Sequence, residues 1–224
     1  MTSKTLFITG ASSGIGEATA RAARRAGWNV GLFARSEDKI NALAEELGDR
    51  SIALPGDATS FEDQTKALAK LKEIYGGVDA AYANAGMGVD NPGTEHGDPE
   101  EWHKLVHVNI MGLLYTAKAA IPHLRARKGH MLMTGSAAGR IHMSGSVYGA
   151  SKWFVHGYAG NLAEEMKEWG GRCTVIAPGM VNTALFDEAK PDKLQPEDVA
   201  EAVVFALDAN PRNAVREVFL MPAN

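Results

Sequence analysis

The sequence predicts an α/β fold, a doubly wound seven-stranded parallel sheet with helices on both faces. Three observations carry this expectation. Seven short apolar runs are bounded by Gly, Pro or Asp and are apolar on both faces, as strands buried in a parallel sheet are. Longer amphipathic stretches separate them, and that alternation implies βαβ units. No repeat, linker or low-complexity segment interrupts the 224 residues, so a single domain over 1–224 suffices.

The elements follow in chain order. "TLFIT" (5–9) reads as the first strand and leads into a helix over 14–26. "NVGLFA" (29–34) precedes a helix over 37–47, and "SIAL" (51–54) one over 61–75. "VDAAYA" (78–83) precedes two helical stretches, 99–109 and 112–126. "HMLMT" (130–134) leads to a helix over 148–169, and "CTVIA" (173–177) to one over 196–208. "VFLM" (218–221) completes the sheet. Between Thr183 and the last helix only about a dozen residues remain, a short substrate loop at about 183–195. In such a fold the ligand sits outside the carboxyl ends of the strands.

Composition narrows the function classes. With 45% hydrophobic and 22% charged residues the chain can bury a core and is not disordered. A net charge of -4 argues against nucleic acid or an anionic membrane as the main partner. The densest basic run, "RAARR" (21–25), reads as a solvated helix face. The single Cys173 excludes an internal disulfide and reads as a small buried hydrophobe. No apolar run reaches the roughly 18 residues of a membrane span. The start, "MTSKTLFITG", lacks the features of a signal peptide, so a cytoplasmic setting is expected. His103 and His107 are spaced to share a helix face, but no HExxH pattern or carboxylate set accompanies them, and no metal is expected.

Two features point to a dinucleotide. The first strand runs into "TGASSGIGEATARAA", where Gly10, Gly14 and Gly16 permit a tight turn and close backbone approach to a pyrophosphate at a helix start. The second strand ends at Ala34–Arg35. The acid that would hold a ribose 2′-hydroxyl is missing, and a guanidinium suited to a 2′-phosphate stands in its place. Ser12 and Ser13 add hydroxyl donors. NADP is therefore expected rather than NAD.

Tyr148 and Lys152 in "VYGASKWFV" lie one helical turn apart on one face. With "TGASSGIG" (9–16), "GDAT" (56–59), "NAG" (84–86), "HVNIMG" (107–112), "TGSAAG" (134–139) and "PGMVNT" (178–183), in that order, the chain resembles the short-chain dehydrogenase/reductase family over almost its whole length. The resemblance implies a Rossmann fold and an NADP-dependent oxidoreductase. It implies cofactor contacts from Gly10, Ser12, Ser13, Gly14, Ile15 and Gly16 in the turn, and from Asp57 and Ala58 near the adenine. It extends them to Asn84, Ala85 and Gly86 after the fourth strand, and to Pro178, Gly179, Val181 and Thr183 over the nicotinamide. It implies Asn109, Ser136, Tyr148 and Lys152 as the catalytic set, with Tyr148 and Lys152 also touching the cofactor. Two departures stand out. Ser136 lies 12 residues before Tyr148, one closer than in many members, with Gly135 where a serine pair is usual, and the substrate loop is short.

The chemistry fits these residue types. Reducing a carbonyl takes a hydride, which NADPH supplies, and a proton from a general acid. Tyrosine, ordinarily near pKa 10, needs a nearby cation to exchange its proton readily, and Lys152 is expected to lower it. In the family Lys152 would also bind the nicotinamide ribose, Ser136 would stabilise charge on the substrate oxygen, and Asn109 would hold a water linking Lys152 to solvent. Met87, His142, Met143, Met180 and Phe186 are candidate pocket residues for a small or medium carbonyl or alcohol substrate. Alternatives are a 3-oxoacyl-carrier-protein reductase, a hydroxy-acid dehydrogenase, or a non-catalytic dinucleotide sensor. Apolar residues on the two long helices, Leu113, Leu114, Ile121, Trp153, Phe154 and Tyr158, suggest a homodimer or homotetramer.

Overall fold

All seven strands join one parallel sheet in the computed structural model, which describes residues 3–91, 93–184 and 188–223. The strands are β1 Thr5–Thr9, β2 Asn29–Ala34, β3 Ser51–Pro55, β4 Ala80–Ala83, β5 His130–Thr134, β6 Arg172–Pro178 and β7 Glu217–Leu220. Their order is β3-β2-β1-β4-β5-β6-β7. The chain winds outward from β1 in one direction and then from β4 in the other, so the switch point falls between β1 and β4.

Helices cover both faces, as the fold class requires. The helices are α1 Gly14–Arg25, α2 Glu37–Leu47, α3 Phe61–Tyr75, α4 Pro99–Val106, α5 Leu113–Arg127, α6 Val147–Lys167 and α7 Pro196–Asp208. On one face Leu68 and Leu71 of α3, Leu124 of α5 and Val155 and Met166 of α6 pack on Phe7, Phe33, Met131 and Met133. On the other, α1, α2 and α7 bring Ala20, Ile40, Val199 and Val203 onto Leu6, Ile8, Leu32 and Tyr82. Burying each large apolar side chain is worth about 1.5–3 kcal/mol, so both faces contribute heavily to stability. Of the apolar residues taken to suggest an oligomer, Leu113 belongs to this core, while Trp153 is exposed.

The two helical stretches expected at 99–109 and 112–126 are one continuous helix. A π-helical turn, His107–Gly112, joins α4 to α5 without a break. Such a turn inserts one residue into the helical ladder and is frequent at functional sites. Pairing of Ile8 with Tyr82 and of Ala83 with Met133 brings the carboxyl ends of β1, β4 and β5 level. Among the described residues no helix is long and apolar enough to cross a membrane.

One buried base makes the fold sensitive to acid. His130 on β5 is almost wholly buried, with Nε2 2.7 Å from Thr174 Oγ1 on β6. Thr174 gives its hydroxyl hydrogen to the Val215 carbonyl, so Nε2 must be the donor and Nδ1, which has no partner, the bare nitrogen. Burial, aided by the charges of Arg172 and Lys4, pushes the imidazole down to about 3. The unfolded chain takes up this proton near pH 6.5 and the native chain does not, so stability falls as pH drops below about 6.5. Between pH 7 and 5 the loss from this group is about 2 kcal/mol. Denaturant titrations of wild type and His130→Gln at both pH values isolate it, and superimposable pH profiles would disprove the assignment.

Candidate active site

The β1–α1 turn is shaped by a backbone contact that leaves no room for side chains. Gly10 adopts φ 68°, and a Cβ on Gly16 would stand 2.2 Å from the Gly10 carbonyl oxygen and 2.7 Å from Asn84 Nδ2. The helix that follows begins open. Ser13 occupies the N-cap of α1 in extended conformation and makes no side-chain cap bond, whereas Ser60, Asp98 and Ser146 cap α3, α4 and α6. First-turn amides at the positive end of α1 thus face outward beside a glycine cradle, an arrangement that fits a pyrophosphate. Ser13 is exposed, Ser12 and Ile15 are half-buried, and Thr183 approaches the turn, its Cγ2 3.3 Å from where a Cβ on Gly14 would lie.

Beside this turn the strand ends are knitted together. Thr9 Oγ1 accepts from the amides of Asn84 (3.1 Å) and Ala85 (3.2 Å), and Asn84 Nδ2 donates to the Thr9 carbonyl at 3.1 Å. Thr134, the last residue of β5, lies with Oγ1 2.8 Å from the buried Tyr82 hydroxyl and 3.1 Å from Asn84 Oδ1. Its carbonyl accepts from Lys152 Nζ at 2.9 Å. Sequence reasoning missed Thr134, Tyr82 and Thr9. For Thr9 and Thr134 the one signal was a polar residue closing an apolar run; Tyr82, inside its run, gave none.

Tyr148 and Lys152 stand on the first turns of α6, whose start Ser146 fixes by accepting from the Gly149 amide at 2.9 Å. Lys152 is buried, with Nζ 5.6 Å from the Tyr148 ring centroid. Ser136 caps a single 3₁₀ turn, Ala137–Gly139, and its Oγ accepts from the Ala138 amide at 3.1 Å. That hydroxyl is also the neighbour that favours the ionised form of the Tyr148 phenol. Burial pushes Tyr148 above the ordinary tyrosine value, and Ser136 only partly offsets it. This reverses the sequence expectation that Lys152 would lower it. The reason is that the phenol is itself withdrawn from water; Lys152 is buried too, down to about 8, and donates to the Thr134 carbonyl.

Asn109 sits in the π-helical turn and ties three segments together. Its Oδ1 accepts from the Met87 amide at 2.8 Å, and its Nδ2 reaches the Met87 carbonyl (3.0 Å) and Ser151 Oγ (3.2 Å). Ser151 precedes Lys152 on α6, so the loop after β4 and the helix carrying Tyr148 share one anchor. A Cβ on Gly86 would lie 3.3 Å from Asn109 Oδ1 and 3.8 Å from Lys152 Nζ, which brings "NAG" against both residues.

The remaining sequence candidates fall around this centre. Arg35 is exposed just beyond β2. Burial raises the Asp57 carboxyl, but two Thr59 hydrogen bonds at 2.8 Å, with the charges of Arg35 and His107, outweigh it and hold the group below its usual range. The Ala58 carbonyl accepts from Gln64 Nε2 at 2.6 Å. Pro178 closes β6, the Gly179 amide donates to Leu220, and buried Val181 bridges to Leu194. Asn182, which sequence reasoning passed over, clamps the substrate loop, accepting from the Lys190 amide (2.8 Å) and donating to Gln195 Oε1 (2.9 Å). Met87 is half-buried, and Met143 and Met180 are exposed. His142 stacks on exposed Trp153, ring centroids 5.4 Å apart. Phe186 lies outside the described residues. His103 and His107 stack on one another.

A family model described as short chain dehydrogenase matches residues 4–194. The chain belongs to the short-chain dehydrogenase family. An uncharacterized oxidoreductase of Staphylococcus aureus is 36% identical to this short-chain dehydrogenase over 228 residues, covering 99% of this chain and 98% of that protein. An alcohol dehydrogenase of the archaeon Thermococcus sibiricus, solved in complex with 5-hydroxy-NADP, is 31% identical with TM-score 0.90, covering 98% and 97%. A 3-ketoacyl-(acyl-carrier-protein) reductase of Brucella melitensis, solved with NADH, is 27% identical with TM-score 0.88, covering 96% of each chain. This short-chain dehydrogenase is accordingly an oxidoreductase by family.

The Asn109 anchor yields a measurable expectation. Asn109→Ala leaves the half-buried Met87 amide and carbonyl unpaired, so equilibrium unfolding should show a loss of about 2–4 kcal/mol. A loss below about 0.5 kcal/mol, the range of an ordinary surface substitution, would mean that the amide does not hold these segments together.

Proposed function

We propose that this short-chain dehydrogenase is an NADP(H)-dependent reductase of carbonyl compounds, reversible to an alcohol dehydrogenase, with Tyr148 as its acid–base group. The observation that carries the reading is the cluster of Ser136, Tyr148 and Lys152 at the carboxyl edge of the sheet, beside the uncapped start of α1.

The residues present suit the dinucleotide. Amides of the Gly10–Gly16 turn would hold the pyrophosphate, Arg35 the 2′-phosphate, Asp57 and Ala58 the adenine, and Lys152 the nicotinamide ribose. When bound, NADPH supplies the hydride. The protein's own part is the proton. Tyr148, kept protonated across the neutral range by burial, gives it to the substrate oxygen. The Ser136 Oγ accepts from the Ala138 amide, which leaves its own hydrogen to stabilise charge on that oxygen. NADP is favoured by Arg35 and by the lack of an acid at the end of β2. The archaeal alcohol dehydrogenase with its NADP analogue supports it, and the Brucella reductase with NADH supports the dinucleotide more generally.

Two experiments test this reading. Tyr148→Phe removes only the hydroxyl, so folding and NADPH binding should persist while turnover of ketones and aldehydes drops by about 10²–10⁴-fold. A folded variant retaining more than about a tenth of the rate would exclude Tyr148 as the acid. Arg35→Asp should weaken NADPH by roughly 10–150-fold through a lost charged hydrogen bond, and NADH far less. Equal losses in fluorescence titrations with the two cofactors would show that Arg35 does not read the phosphate.

A further inference from the structure

One histidine lies within hydrogen-bond reach of the Ser136 peptide and has no part in the chemistry described so far. His156 follows Lys152 by one turn of α6 and is half-buried. Its Nε2 is 3.2 Å from the Ser136 carbonyl oxygen, which also accepts from the Gly139 amide at 2.9 Å. A carbonyl only accepts, so Nε2 carries the hydrogen. On the other side of the ring, Nδ1 is 3.7 Å from Glu217 Oε1 on β7, and Glu217 is paired with Arg140.

The space around this ring explains a peculiarity of the sequence. A Cβ on Gly135 would lie 2.8 Å from His156 Nε2, and one on Gly139 would lie 2.7 Å from His156 Cδ2. Together with Val175 Cγ1, 2.5 Å from the Gly135 Cβ position, and the Lys152 backbone, 2.8 Å from the Gly139 Cβ position, the imidazole fills the volume that side chains at 135 and 139 would need. Gly135 stands where a serine pair was expected. The hydrogen-bond donor in that space comes instead from the next helix, and Glu217 and Arg140 flank it.

We propose that His156 is a positioning residue for Ser136. By donating to the Ser136 carbonyl it fixes the 3₁₀ turn that carries the hydroxyl, and so sets where Ser136 Oγ meets the Tyr148 phenol. His156 acts through the Ser136 peptide and transfers no proton; Glu217 Oε1, 3.7 Å from the bare Nδ1, lies beyond hydrogen-bond distance. The inference rests on the catalytic reading above.

The test compares His156→Met, which fills space without a donor, and His156→Asn, whose amide reaches only as far as Nδ1, with His156→Gln, whose Nε2 reaches the position of the histidine Nε2. NADPH affinity is followed by fluorescence, and turnover with a panel of ketones and aldehydes. The Tyr148 phenolate is titrated by ultraviolet absorbance in NADP⁺-saturated protein, as the difference from Tyr148→Phe. The donor-less variants should keep wild-type NADPH affinity and lose roughly 10–100-fold in kcat. With the Ser136 contact weakened, the phenolate titration should move up by about half to one pH unit. His156→Gln should restore both. If the donor-less variants keep wild-type kcat and an unmoved titration while Tyr148→Phe abolishes both signals, the positioning role is overturned and the catalytic reading stands. If Tyr148→Phe itself keeps its rate, the catalytic reading fails and this inference falls with it.

Discussion

The Lys152 ammonium is buried and donates to the Thr134 carbonyl at 2.9 Å. An ammonium withdrawn from water is costly unless it is paired, by several kcal/mol. The surrounding residues answer that demand. The carbonyl is available because β5 ends at Thr134, and its position is set because Thr134 is tied through Asn84 and Tyr82 to β1 and β4. The residual strain appears as a lysine easily deprotonated, down to about 8. Tyr148, one turn away, shares the same dry surroundings and is pushed the opposite way. Shared burial therefore drives the two groups apart in proton affinity, the lysine falling below the tyrosine.

The sheet and helices serve that geometry. Level ends of β1, β4 and β5 deliver a glycine turn, an asparagine and a serine to one edge. The π-helical turn brings Asn109 up to Met87 and Ser151, so α6 and the loop after β4 are held against each other. Arg35 and the Asp57 loop extend the same edge past β2. The edge thus runs without a break from the glycine turn to the Tyr148 phenol.

Much of this was legible in the residues. Strands at 29–34 and 130–134 and helices at 37–47, 61–75 and 196–208 match their apolar patterns residue for residue, because buried parallel strands and amphipathic helices leave distinct periodicities. The gap expected at 110–111 does not exist, because a π-helical turn carries the helix through it. Tyr148 and Lys152 were legible because helical spacing places them on one face and the ordered motifs of the family resemblance give that pair a role. The direction of the Tyr148 shift was not, because charge is written in the sequence but desolvation is not. Thr134, Asn182 and His156 were invisible for a related reason. Each acts through a backbone group brought near by tertiary packing, and backbone groups are the same for every residue type.

The contrast between the starts of α6 and α1 has a consequence for the life of the protein. One helix satisfies its first turn with its own serine, and the other keeps its amides for a guest. Any guest that binds only the native state adds its binding free energy to the fold by mass action. Resistance to heat and to proteolysis then rises with the concentration of a dinucleotide bound there.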